Sequence, residues 1–264
     1  MQSSESVPIW HGVEADSAVV AVAVHGGHRL RDEVAAVCAL DEETRLREED
    51  PFTDAWAGVA PSRLVACRSR FEFDLNRPRS AAVYVEPDDA WGLEVWRHHP
   101  SRELIERSVA AYDAFYAVLE GVLARAVESH GRFVVLDLHS YNHRRAGPDG
   151  PLDDPAGSPD LNVGTEAMDR DRWAPLVDGF LADLRRYDFP GRRIEVGENV
   201  RFGGGHLSHW VAEHFATVGC VLAVEVEKFF MDAHTGTLDE ACHAAVGELL
   251  ASTVPGLTRR LDVR

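Results

Sequence analysis

Three short stretches of this chain are apolar at almost every position: Ser17-Ala-Val-Val-Ala-Val-Ala-Val24, Arg132-Phe-Val-Val-Leu-Asp-Leu138 and Cys220-Val-Leu-Ala-Val-Glu-Val226. A strand with one wet face alternates apolar and polar residues. An unbroken apolar run of this length instead predicts a strand covered on both faces. Arg63-Leu-Val-Ala-Cys67 and Arg193-Ile-Glu-Val196 are weaker strand candidates. Between them the spacing predicts helices. The clearest covers Ser101 to His130, with Ser101 as N-cap, apolar side chains at Leu104, Val109, Tyr112, Phe115, Tyr116, Leu119 and Val122, and Gly131 as the stop. Two more are expected over Met168–Tyr187 and Leu238–Leu257, the last ending near Pro255. Strands alternating with helices give an α/β fold with a mostly parallel sheet and helices on both faces. Such sheets bind ligands beyond the carboxyl ends of their strands. His25, His139 and Glu225 all stand at or near such ends and should face one edge of the sheet. The segment Tyr141–Thr165, rich in Pro, Gly and Asp, is expected to form a long loop over that edge.

With 264 residues, 45% of them apolar, one α/β domain spanning 1–264 can bury a full core. The formal charge of −17 argues against nucleic acid or an anionic membrane as partner. A small carboxylate-bearing substrate stays open, because a pair of arginines can reverse the field inside a cleft. The four cysteines, Cys38, Cys67, Cys220 and Cys242, form no CxxC and read as free thiols of a reducing compartment. The N-terminal MQSSESVPIW has no signal-peptide pattern, and no run is long enough to span a membrane, so a cytoplasmic location is expected.

Four segments carry chemistry. In His25-Gly-Gly-His28 two imidazoles sit three residues apart after a strand, where they can converge on one metal ion. A turn with one satisfied and one exposed histidine fits the same letters. In Ser69-Arg-Phe-Glu-Phe-Asp-Leu-Asn-Arg77 the guanidinium forks of Arg70 and Arg77, with the amide of Asn76, can grip a carboxylate, and Asp74 can orient one arginine. A surface strip of ion pairs is the alternative. In Asp137-Leu-His-Ser140 a strand-end His139 has a carboxylate two residues earlier that can back it as a ligand, or it bonds to backbone. In Ala223-Val-Glu-Val-Glu-Lys228 alternation puts Glu225 and Glu227 on one face, and a carboxylate inside an apolar strand is costly unless it is paired or used. A fifth segment, Glu198–His209, holds Gly203-Gly-Gly205. It is either a substrate-side loop with Gly204 close to ligand and His206 or His209 in contact, or a connection into a helix that carries those histidines.

In order, VHGGH, SRFEFDLNRP, DLHSYN, RFGGGH and VEVEKFFMD resemble the markers of the N-formylglutamate amidohydrolases, a branch of the zinc carboxypeptidase-like superfamily, from about Ala21 to Gly236. The resemblance implies a three-layer α/β/α sandwich around a mixed, mostly parallel sheet (phosphorylase/hydrolase-like). It implies a Zn2+ cofactor held by His25, His28 and His139. It implies Arg70, Asn76, Arg77, Gly204 and His206 on the substrate and Glu225 as the base. Position 28 is His where the wider superfamily has Glu, so Asp32 or Glu33 is the alternative second ligand. The activity implied is metal-dependent hydrolysis of an amide on an N-formyl or N-acyl amino acid such as N-formylglutamate. Two rivals remain: a zinc carboxypeptidase acting on peptide C-termini, for which the same residues could serve, and a non-catalytic metal or carboxylate binder, which has no need of Glu225.

Overall fold

The computed structural model describes residues 8–143, 151 and 154–261. The three apolar runs become β2 (Val19–Ala23), β4 (Phe133–Tyr141) and β7 (Gly219–Glu227). With β3 (Ser62–Ala66) they form a parallel block in the order β3-β2-β4-β7. β1 (Trp10–Val13) pairs antiparallel with β3 at one edge. At the other, β5 (Leu161–Gly164) runs antiparallel to β7 and carries β6 (Val196–Glu198) parallel to itself. The sheet is therefore seven-stranded and mixed.

Successive side chains of a strand point to opposite faces, and both faces here are covered. Val20, Val22 and Val24 pack with Phe115, Leu119 and Leu123 of α4 (Arg102–His130) and with Leu207 and Val211 of α6 (His206–Phe215). Val19, Ala21 and Ala23 pack on the other side with Val177 and Phe180 of α5 (Ala174–Arg186) and Val246, Leu249 and Leu250 of α7 (Glu240–Arg260). That is the expected α/β/α sandwich. Each fully buried Leu, Val or Phe contributes on the order of 1.5–3 kcal/mol, which is why so short a β2 holds its place.

α4 begins and ends where the sequence indicates. The Ser101 hydroxyl accepts from Leu104 N at 3.2 Å, and Gly131 closes the helix at φ 74°. Elsewhere tertiary context overrides the local signal. α5 starts at Ala174, six residues after the expected Met168, with Pro175 in its first turn, a position where proline is well suited. α7 runs through Pro255 to Arg260. Buried Leu257 and Leu261 and the Arg260–Asp183 ion pair at 2.5 Å hold the turn beyond the proline. The strand expected at 193–196 is displaced to Val196–Glu198. β5 lies inside the segment read as loop, of which residues 144–150, 152 and 153 fall outside the described residues. All four cysteines are free thiols. Among the described residues no helix is long and apolar enough to cross a membrane.

A third apolar cluster, including Val34, Phe71, Tyr84, Trp96 and Leu104, anchors the segment that carries Arg70, Asn76 and Arg77.

Candidate functional site

The carboxyl ends of β2, β4 and β7 open on one cleft of about 730 Å³, lined by His25, His139 and Glu225 among others. Register places them: Val22 pairs with Asp137, and His139 pairs with Glu225. After β2 the chain turns through Gly26 and Gly27. A Cβ on Gly27 would stand 2.5 Å from the Cys67 carbonyl carbon, so only glycine lets the turn cross the end of β3.

A fourth element completes the cluster. Helix α2 (Glu42–Glu48) delivers Asp50, buried at 3% exposure, whose backbone N–H donates to His25 O at 3.1 Å. Asp50 Oδ2 lies 2.8 Å from His139 Nδ1 and 3.4 Å from His25 Nδ1. One donor atom from each of His25, Asp50 and His139 falls within 4.8 Å of the other two. The far nitrogen of each ring meets a second buried carboxylate. His25 Nε2 is 2.7 Å from Asp74 Oδ1, and His139 Nε2 is 3.0 Å from Asp137 Oδ1. Asp74 also accepts from Asn76 N at 2.7 Å, from Arg70 Nη2 at 2.8 Å and from the Tyr84 hydroxyl.

Burial works against charge on Asp50 and His139, and pairing offsets it. Burial alone would raise the Asp50 carboxyl, but hydrogen bonds from His139 and His25 hold it far below the usual carboxylate range. Burial opposes protonation of His139, yet Asp137, Glu225 and Asp50 together raise its pKa well above the ordinary imidazole value. Among the described residues Glu225 has no hydrogen-bonded partner, and burial, against the pull of His139, pushes its carboxyl up to about 7. A carboxylate poised there is suited to accept a proton near neutral pH.

His28, expected as a ligand, is not brought to this cluster, and Asp50 stands in its place. The turn carries the His28 ring, 30% exposed, to the Glu49 carboxylate, with which Nδ1 bonds, while Nε2 lies 3.3 Å from Arg45 Nη2. The alternatives fare no better. Asp32 and Glu33 are exposed on α1 (Asp32–Val37), and Glu33 is ion-paired with Arg31 and Arg107.

Arg70, Asn76, Arg77 and Gly204 all line the cleft. Arg70 is largely committed: besides Asp74 it donates to the Tyr84 hydroxyl at 3.2 Å and Glu48 O at 3.2 Å, under the Trp91 ring. Among the described residues the half-buried Arg77 makes one long hydrogen bond, Nη2 to Asp89 O at 3.4 Å, and its guanidinium lies over the Tyr84 ring, 5.8 Å from the centroid. Asn76 Oδ1 accepts from Leu207 N at 3.1 Å, and its amide nitrogen faces His139. Gly203–Gly205 form a wall held by buried Asn162 of β5, which accepts from Val200 N and Arg201 N at 2.9 Å each and donates to Phe202 O at 2.8 Å. A Cβ on Gly205 would overlap the Asn76 amide at 2.2 Å. His206 is a correction: as the first residue of α6 it turns to a different recess, with its ring 5.9 Å from Tyr116. Burial and the neighbouring His209 lower its pKa.

A sequence model of the N-formylglutamate amidohydrolases matches residues 17–229. The chain belongs to the N-formylglutamate amidohydrolase family. Its fold is similar to the crystal structure of N-formylglutamate amidohydrolase from Ralstonia eutropha JMP134, with a TM-score of 0.75 at 17% identity over 95% of this chain and 98% of that one. It is also similar to a gene product of Agrobacterium tumefaciens, with a TM-score of 0.68 at 17% identity over 94% and 93%. A search of curated protein sequences found no match. The family makes this chain a hydrolase that acts on an amide.

The cluster suits a divalent cation. Two imidazole nitrogens and a carboxylate oxygen are a zinc-type donor set, and a carboxylate behind each ring orients it. Buried Asp137 sets its carboxylate against the His139 ring as an ion-pair partner, which favours a positively polarised imidazole.

Several cleft residues were not singled out from sequence. Asp50 ends the charged run Arg45-Leu-Arg-Glu-Glu-Asp50, where only the following Pro51-Phe52 hints that the chain turns inward. Lys228, 1% exposed, donates to Arg47 O at 2.6 Å and Glu49 O at 2.8 Å, and burial pushes its ammonium down to about 8. The Ser140 hydroxyl and the Asn142 amide oxygen also line the cleft, without hydrogen-bond partners among the described residues.

Proposed function

We propose that the chain hydrolyses the amide bond of an N-formyl or N-acyl amino acid, N-formylglutamate being the first candidate, with zinc held by His25, Asp50 and His139. The observation that carries this reading is the convergence of those three donors beside Glu225, whose backbone is paired with that of His139. Zinc at such a site supplies Lewis acidity, polarising a carbonyl oxygen and acidifying water.

The chain's own residues do the rest. Glu225, a cleft carboxylate without a hydrogen-bonded partner among the described residues, takes the proton from the attacking water. The protonated Glu225 then gives it to the leaving amine as the C–N bond breaks. Arg77 and Asn76 receive the substrate carboxylate, fixing the scissile carbon in front of the base, so that binding energy becomes orientation. Arg70 acts through Asp74 on His25, and its stacked face borders the cleft. The Gly203–Gly205 wall lets substrate approach the backbone.

A hydrolysis screen of zinc-loaded protein against N-formyl, N-acetyl and N-succinyl amino acids and a dipeptide series tests this. Turnover confined to N-acyl amino acids with a free carboxylate is expected. Turnover of dipeptides alone would move the reading to a carboxypeptidase.

A further inference from the structure

Helix α2 has seven residues and buries none of them, so hydrophobic packing does not fix its end. Yet Asp50, two residues past that end, must hold its carboxylate in place, since a metal ligand tolerates only about 0.2 Å of error. The structure supplies polar pins instead. The peptide group joining Glu49 to Asp50 is tied at both ends: its N–H donates to His25 O at 3.1 Å, and its carbonyl accepts from Lys228 Nζ at 2.8 Å. A second bond from Lys228 Nζ, to Arg47 O at 2.6 Å, catches the last turn of α2. The Glu49 side chain, 1% exposed, is fastened by His28 Nδ1 and the Ser69 hydroxyl. Among the described residues Lys228 forms no ion pair with a carboxylate. A buried ammonium spent wholly on backbone carbonyls is costly, and here those carbonyls belong to the strap that delivers Asp50.

We propose that Lys228 and His28 are positioning residues for Asp50: Lys228 pins the backbone of the strap and His28 pins it through Glu49. This rests on the reading of His25, Asp50 and His139 as the zinc site. Neither residue touches the reacting atoms. His28 thus serves the site its sequence position suggested, one step removed. Lys228 links the exit of β7, which carries Glu225, to the strap that carries Asp50, and Asp50 N–H links that strap to His25 after β2, so base and ligands share one frame.

Zinc affinity, measured by competition with a chelating dye, tests it. Outer residues that orient metal ligands typically change affinity by about 10–100-fold, and Lys228→Met should weaken zinc binding in that range. At saturating zinc its KM should stay near wild type. In an Asp50→Asn background, Lys228→Met should add less than about twofold, because residues acting through one group are not additive. Circular dichroism reports whether Lys228→Met folds. If it does not, His28→Ala carries the test, with weaker zinc binding expected and rescue by His28→Gln, whose amide can still donate to Glu49. Wild-type zinc affinity in folded Lys228→Met, or in His28→Ala, overturns the proposal. A raised KM with unchanged zinc affinity in Lys228→Met would make Lys228 a substrate-anion site instead. Undiminished zinc binding in Asp50→Asn is a different failure, that of the ligand set itself.

Discussion

His139 and Glu225 are paired residue to residue across the parallel strands β4 and β7, so backbone hydrogen bonding alone sets an imidazole beside a carboxylate. Glu225→Gln keeps the shape but cannot take a proton. A general base contributes about 10² to 10⁴ in rate, so kcat should fall by that much while zinc and substrate still bind. Glu227→Gln, two residues on, should retain activity, and loss there instead would move the base.

The pH profile follows from the same group. With its carboxyl pushed up to about 7 by burial, Glu225 is protonated and inactive as a base below that value and charged above it. Activity should therefore rise with pH along an acidic limb. Zinc nearby favours the charged form and shifts the limb downward. The limb should be missing from the residual activity of Glu225→Gln, and its persistence there would assign it to another group.

Zinc that binds only the folded chain stabilises it by about 2.7 kcal/mol at a hundredfold excess over Kd. The melting temperature should accordingly rise on adding zinc and fall on adding a chelator. His139→Ala and Asp50→Ala should lose both responses. An unchanged zinc response in His139→Ala contradicts the assignment.

Arg77 is half-buried in the cleft, over the Tyr84 ring, with one long hydrogen bond among the described residues, which leaves donors for a substrate carboxylate. Losing a charge-assisted contact costs about 1.5–3 kcal/mol, or roughly ten- to hundredfold. Arg77→Ala should raise KM by that factor more than it lowers kcat. Wild type should hydrolyse a substrate with its carboxylate amidated poorly, and equal rates on the amidated and free acids would discard the clamp.

Gly205 stands against Asn76 with no room for a methyl group. Gly205→Ala should push the Asn76 amide out of place, raising KM while the fold and zinc content survive. Unchanged kinetics would show that Asn76 does not contact substrate.

Much of the framework was legible in the sequence, for a physical reason. β2, β4 and β7 are apolar on both faces because both faces are covered, and α4 carries its own cap and stop at Ser101 and Gly131. The meeting of His25, His139 and Glu225 at one cleft followed from those strand ends. Asp50 was not legible. It sits in a charged run that reads as solvated helix, and its burial depends on contacts with His25, His139 and Lys228, which are distant in sequence. His28 was misplaced for the converse reason. Two histidines three apart suit a ligand pair, but the glycine turn between them crosses toward Cys67 and carries the second ring to Glu49. His206 follows the glycines into a helix start, and helix geometry turns it from the cleft.

A crystal structure of the zinc-loaded protein, with anomalous data collected at the zinc edge, tests the central claim most directly. We predict one strong anomalous peak about 2.0–2.2 Å from an imidazole nitrogen of His25, an imidazole nitrogen of His139 and a carboxylate oxygen of Asp50, with Glu225 facing it across the cleft. A peak seated on His28, or full loading with none at the ends of β2 and β4, would contradict the account.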